Sequence, residues 1–294
     1  MRRVVRRIWI GAGCLAMIAL VWSFQAHDVS DEFLRSGKGV VVRRGVAIEF
    51  MPERTDRKAG LIIYPGGMVD PNAYAPMAHR LAREGFPVRV VKLPWRSAVL
   101  ESQRELLFDR TEEMLSSNPP VRWALAGHSR GGALATQFIH ERGPRVAALV
   151  LIATTHLRDF DLSKLGMPVV KIYATNDGVA THGEMQKNAD LLPPDMRWIG
   201  IAGGNHAQFG SYGPQLGDGR ATISRQRQQE ELLVALREAL TDVEKRTPSA
   251  PPEARRYTAP RHASIRAASL PPPVPRPRLS VLTTRRATCR RSIR

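Results

Sequence analysis

Cysteine is nearly missing from this chain of 294 residues: Cys14 lies in an apolar segment near the N-terminus and Cys289 close to the C-terminus. The long stretch between them needs neither a disulfide framework nor a thiolate-bound metal, and a cysteine-free domain is stable on either side of a membrane. Nor do the histidines suggest a metal. His79, His140, His156 and His182 are scattered without ligand spacing, so no metal and no cofactor are expected. Net charge is also missing from the middle of the chain. Of the formal +17, Arg2, Arg3, Arg6 and Arg7 supply +4, and residues 246–294, with twelve arginines against the single acid Glu253, supply +11. The basic character belongs to the two ends, which excludes a nucleic-acid-binding face on the central part. No internal repeat is present.

What is present begins with an unbroken apolar run of 17 residues, 8–24, behind the four arginines, with Trp9 and Trp22 near its ends where interfacial aromatics sit. Asp28, Asp31 and Glu32 follow it. The charge bias puts the N-terminus in the cytoplasm and the rest outside, so residues 1–26 are expected to be a signal-anchor helix and 27–38 a linker. A cleaved signal ending at Ser23 or Ala26, giving a secreted protein, is the alternative. Against it, the run exceeds the usual ~7–15 residue core of a signal peptide, and Phe24 is bulky for the third position before a cut at Ala26. At the other end, residues 246–294 hold nine prolines and few large apolar residues. Such a segment is expected to be disordered, either a solvated extension or an adhesive for anionic lipid or an envelope polymer.

Between 39 and 245, short β-rich runs alternate with longer helical stretches. Strands are expected at 39–50, 61–64, 87–93, 121–126, 146–153, 169–174 and 197–202, and helices at 73–84, 101–116, 131–141, 182–192 and 223–241. That alternation predicts an α/β fold, a mainly parallel sheet with helices on both faces.

One strand ends in Gly127-His128-Ser129-Arg130-Gly131, a G-x-S-x-G pattern followed at once by a helical stretch. The spacing has a physical reason. A serine at the tip of a sharp strand-to-helix turn is held in a strained conformation, and small residues two places either side prevent collisions across the turn. The turn lifts Oγ to a helix N-terminus, where developing negative charge is favoured. Ser129 is therefore the candidate nucleophile. His128, inside the turn, is expected to pack beneath it.

On these residues the chain resembles the α/β-hydrolase superfamily, in particular its small bacterial lidless members, over roughly 39–245. The resemblance implies a triad in chain order Ser, acid, His, each after a strand. Asp177, in Thr175-Asn176-Asp177-Gly178, matches the acid loop, and His206, in Gly203-Gly204-Asn205-His206, matches the histidine loop. An Asx turn is the plain alternative for Asp177, and Asp159, Asp161 and Glu184 are alternative acids. Tyr64-Pro65-Gly66-Gly67-Met68 resembles the oxyanion loop. It implies backbone donors at Met68 or Gly67, the register being open, together with the N–H of Arg130.

The expected activity is hydrolysis of an ester or related carbonyl compound, a small molecule, through a Ser129 acyl-enzyme. Acyl transfer to another acceptor, or a non-catalytic envelope-binding role, are the rivals. Only residues 154–168 separate two of the strands at the place where larger relatives insert a cap, so no cap domain is expected. The loop after His206 either gives Phe209 and Tyr212 as one wall, with Met68, Val69 and Trp95 opposite, or is merely structural; an open site in either case predicts compact acyl groups and no gain at a lipid interface.

Overall fold

The computed structural model describes residues 2–117, 121–156 and 160–246. Its first element is a helix, α1 (Arg2–Ser23), whose side chains are exposed except for Ser23. Among the described residues it is the one helix long and apolar enough to cross a membrane.

Eight strands follow: β1 (Val40–Arg44), β2 (Ala47–Pro52), β3 (Ala59–Tyr64), β4 (Val88–Val91), β5 (Arg122–His128), β6 (Ala148–Ile152), β7 (Val169–Ala174) and β8 (Arg197–Ile201). They form one sheet in the order β1-β2-β4-β3-β5-β6-β7-β8. β2 runs antiparallel to both β1 and β4, and every other pairing is parallel. The stretch 39–50, expected as one strand, is two. Its alternating apolar pattern runs through Gly45, but the chain reverses there, pairing Arg44 with Ile48.

The helices α2 (Ala75–Arg83), α3 (Glu101–Ser116), α4 (Arg130–Arg142), α5 (His182–Gln186) and α6 (Arg225–Lys245) fill the connections. α2 and α6 cover one face of the sheet, while α3 and α4 cover the other. β3 explains how a sheet takes two layers: Leu61 and Ile63 point into the first core and Ile62 and Tyr64 into the second. Nearly every residue of the central strands is apolar for that reason. The helix expected over 182–192 stops at Gln186 and resumes as a single tight turn, Ala189–Leu191. The described residues between β6 and β7 contain no helix or strand. Residues 27–38, expected as a linker, instead set Val29, Phe33 and Leu34 against the first core. The Pro/Arg-rich tail lies outside the described residues beyond Arg246.

The chain leaves β3 toward β4 on one side and β5 on the other, so the sheet has a switch point between β3 and β5. The carboxyl ends of strands flanking such a point form a crevice. Gly66–Met68 and Ser129 stand there.

Candidate active site

β5 ends at His128 and α4 begins at Arg130, leaving Ser129 alone to make the turn at φ 51° and ψ −118°. A non-glycine residue in that region stores on the order of 1–3 kcal/mol, so surrounding contacts must hold it. They do: the Ser129 N–H donates to Ile152 O at 2.9 Å, and Ser129 O accepts from Gly132 N at 3.0 Å. The glycines are required by proximity. A Cβ on Gly127 would stand 2.3 Å from Gly131 O, and one on Gly131 would stand 2.1 Å from Tyr64 O. Only hydrogen fits between these backbones.

Asp177 and His206 leave the sheet at the ends of β7 and β8. His206 Nδ1 lies 2.8 Å from Asp177 Oδ2, and both side chains are fully buried. The other carboxylate oxygen, Oδ1, accepts the N–H groups of Val179 at 2.8 Å and Ala180 at 2.7 Å. Asp177 thus makes the Asx turn and binds the histidine at once, one oxygen to each task. A carboxylate acceptor at Nδ1 fixes the proton there and leaves Nε2 with its lone pair. Nε2 of His206 is buried and has no hydrogen-bond partner among the described residues, Ser129 included. The imidazole does lie against the serine's neighbour, its centroid 4.8 Å from that of His128. Of the alternative acids, Asp161 is exposed and accepts the Ser163 N–H, and Glu184 is exposed and accepts from the Thr181 hydroxyl. Asp159 lies outside the described residues.

His128 packs beneath the turn. Its ring is fully buried, and its Nδ1 shares a hydrogen bond of 2.7 Å with the Tyr74 hydroxyl, which also accepts the Gly66 N–H at 2.9 Å. Burial first, and the adjacent His206 second, hold the His128 pKa well below the ordinary histidine value. His128 is a neutral strut between the elbow and the glycine loop.

In that loop the Met68 N–H donates to Arg96 O at 2.7 Å, with Met68 at φ 65°. The Met68 N–H is therefore already bonded within the protein. A Cβ on Gly67 would approach the Arg130 Cβ to 3.2 Å, so its backbone sits directly beside the start of α4. The first N–H of a helix has no acceptor within the helix. Arg130 occupies that position, and its guanidinium turns back to Ser97 O and Ala98 O at 3.3 and 3.2 Å. Of the two readings of the loop after His206, pocket wall or structural loop, burial supports the second. Phe209, Tyr212 and Val69 are buried, the two rings packing around His128 because that strut needs an apolar sleeve. Met68 and Trp95 are exposed.

Two groups escaped the sequence reading. Asp218 accepts the N–H groups of His206, Ala207, Gly178 and Gly219 at 2.8–3.3 Å. Arg96 reaches Met68 O, Asp70 Oδ2 and Gln25 Oε1 at 3.2–3.3 Å. An acid flanked by Gly217 and Gly219 in a long loop was the available signal for Asp218. Arg96 offered none.

Residues 60–230 match the sequence model of the alpha/beta hydrolase family, and the chain belongs to that family. No curated protein matches the sequence. Among solved structures, a bacterial membrane phospholipase A is 14% identical with a TM-score of 0.55, over 84% of this chain and 100% of that one. A dienelactone hydrolase from Anabaena variabilis is 15% identical with a TM-score of 0.51, over 69% and 98%. Est1E from Butyrivibrio proteoclasticus is 11% identical with a TM-score of 0.50, over 69% and 99%. At such identities the likeness is one of fold.

Proposed function

We propose that the protein is a serine hydrolase that cleaves an ester or related carbonyl substrate through a Ser129 acyl-enzyme. The observation that carries this reading is the buried Asp177–His206 pair, 2.8 Å apart, beside a serine held at positive φ. Ser129 Oγ attacks the carbonyl carbon while His206 Nε2 takes its proton, and Asp177 stabilises the imidazolium that results. The N–H groups of Gly67 and Arg130 receive the oxyanion. Collapse returns the proton to the leaving group. Water then repeats the sequence and releases the acid. The cycle starts when the Ser129 hydroxyl comes within hydrogen-bond reach of Nε2, which has no partner among the described residues.

For the N-terminal segment we propose an anchor over a cleaved signal, the arginines before residue 8 placing the N-terminus in the cytoplasm and the hydrolase domain outside. Ser23 is buried and Phe24 and Ala26 pack on the first core, so a cut at Ala26 would remove core contacts, whereas a cut at Ser23 would leave Phe24 and Ala26 in place. On this proposal the hydrolase domain runs from Ser23 to 245.

Labelling of the full chain with a fluorophosphonate, beside a Ser129→Ala control, tests the nucleophile. Covalent modification of Ser129 and turnover on a panel of esters, thioesters and amides are expected. An unmodified Ser129 in folded protein would leave a binding module.

A further inference from the structure

The end of α1 is built into the rim of the candidate site. Ser23 O accepts the N–H of Gly213 at 2.8 Å, Phe24 O accepts that of Asp70 at 2.8 Å, and the His27 N–H donates to Ser211 O at 2.7 Å. Arg96 bonds Gln25 and the glycine loop together. Asp70 belongs to the loop that carries Gly67, and residues 211–213 to the loop that carries His206. No free tether separates the apolar helix from the site.

A second observation concerns what this rim exposes. Outside α1, the five most exposed large apolar side chains among the described residues are Leu216 at 87%, Trp95 at 84%, Val99 at 62%, Leu100 at 59% and Met68 at 49%. All five lie on three loops at the carboxyl edge of the sheet. Met68 is on the glycine loop, and Trp95, Val99 and Leu100 on the segment that Arg130 grips through Ser97 and Ala98. Leu216 follows the histidine loop. Apolar side chains gathered on one rim mark a contact surface rather than random exposure.

The third observation bears on what could cover it. An open apolar groove of about 740 Å³ runs between α1 from Gly13 to Ser23 and the loop Pro214–Gly217. Ten residues of helix span about 15 Å, roughly half the hydrocarbon thickness of a bilayer. A span seated in a membrane therefore carries Leu216 into the outer leaflet, and Trp22, which lines the same groove, is suited to the headgroup level.

We infer that this rim is immersed in the outer leaflet of the membrane that α1 crosses, so the site opens onto lipid and takes the ester of a membrane-resident amphiphile. The substrate half of this rests on the Ser129 reading and the docking half does not. It reverses the expectation, drawn from the missing cap alone, that a lipid interface brings no gain.

The test uses the full chain, with Cys14→Ser and Cys289→Ser, in phosphatidylcholine vesicles. An environment-sensitive fluorophore is attached through V99C, L100C, L216C, M17C within α1, or S116C at the far end of α3. Phosphatidylcholine brominated on its acyl chains is the quencher. Blue-shifted, quenched emission is expected at 17, 99, 100 and 216, with none at 116. Quenching at 17 but not at 99, 100 and 216 overturns the docking, including the case where a second copy covers the rim. Absence of quenching at 17 removes the span and the inference with it.

A second arm compares a carboxylic ester carried in the vesicle with a soluble short ester. Leu100→Asp with Leu216→Asp is expected to lower the ratio of the two rates, and an unchanged ratio overturns the substrate half. If neither ester is cleaved by the parent chain, the Ser129 reading fails while the quenching still decides the docking.

Discussion

Asp218 Oδ1 accepts the backbone N–H of His206 at 3.0 Å and of Gly178 at 3.3 Å, so one carboxylate ties the loop bearing the histidine to the loop bearing Asp177. Its other oxygen takes Ala207 N at 2.9 Å. Its carboxylate oxygens bond backbone N–H groups of these two loops, so it is a positioning residue. Asp218→Ala is expected to lower kcat about 100-fold with little change in KM, the scale of a small misplacement of a catalytic group. Asp218→Asn, which keeps one acceptor oxygen, recovers part of the loss. Steady-state kinetics well below the unfolding temperature make the check. A variant that melts earlier yet keeps its kcat would reduce Asp218 to a purely structural role.

Asp177→Asn separates geometry from charge. The amide oxygen can still accept from Val179 and Ala180, so the loop holds, but its NH₂ faces His206 Nδ1 and favours the tautomer protonated at Nε2. A base without a lone pair toward Ser129 is idle, and kcat is expected to fall on the order of 10⁴-fold. Circular dichroism should be unchanged. Full activity would move the acid to Asp159, Asp161 or Glu184.

The elements of the site that sequence made legible are those set by local chemistry. Ser129 is announced by glycines that the backbone contacts at Gly127 and Gly131 require. Asp177 and His206 follow from strand ends, because parallel strands deliver their next residues to one edge. The sheet itself was readable from apolar runs, apart from the reversal at Gly45. Contacts made by partners far apart in sequence were not readable. Asp218 meets Gly178 across 40 positions, and Arg96 meets Gln25 across 71. Phe209 and Tyr212 looked like pocket walls because their loop was correctly placed near the site, yet nothing in the sequence says which way a loop aromatic turns. They turn inward, onto His128.

Lys171 on β7 is fully buried, with Nζ 2.7 Å from His156 Nδ1. Burial pushes the lysine pKa from 10.5 down to about 7, and burial first, then Lys171, pushes that of His156 to about 4. Between pH 7 and 10.5 the folded chain binds fewer protons at Lys171 than the unfolded chain does. The Lys171 contribution to stability therefore rises with pH across that window, by up to about 1 kcal/mol per pH unit, and is flat below it, where the lowered His156 takes over the dependence. Lys171→Met should flatten this dependence and raise Tm at neutral pH. Melting curves from pH 6 to 10 test it, and an identical slope in both proteins would show that Lys171 is charged and paired in the folded state.

The N-terminal boundary gives the last prediction. Removal of residues 1–22 takes away the exposed part of α1 and the exposed Trp22–His27 contact but keeps the Ser23, Phe24 and His27 backbone bonds to the rim, so the fragment from Ser23 should fold with a nearly unchanged Tm. Removal of residues 1–26 does more. It strips Phe24 from Tyr212, whose rings lie 6.4 Å apart, and deletes the acceptors of the Gly213 and Asp70 N–H groups. Burial of part of a phenylalanine together with two lost backbone bonds is worth about 2 kcal/mol, roughly a 5 °C fall in Tm for a domain of this size. Because Asp70 and Gly213 flank the glycine and histidine loops, kcat should fall along with stability. Differential scanning calorimetry and ester hydrolysis on the two fragments decide it. If the shorter fragment equals the longer in both, residues 23–26 are dispensable and a signal cleaved at Ala26 regains its footing.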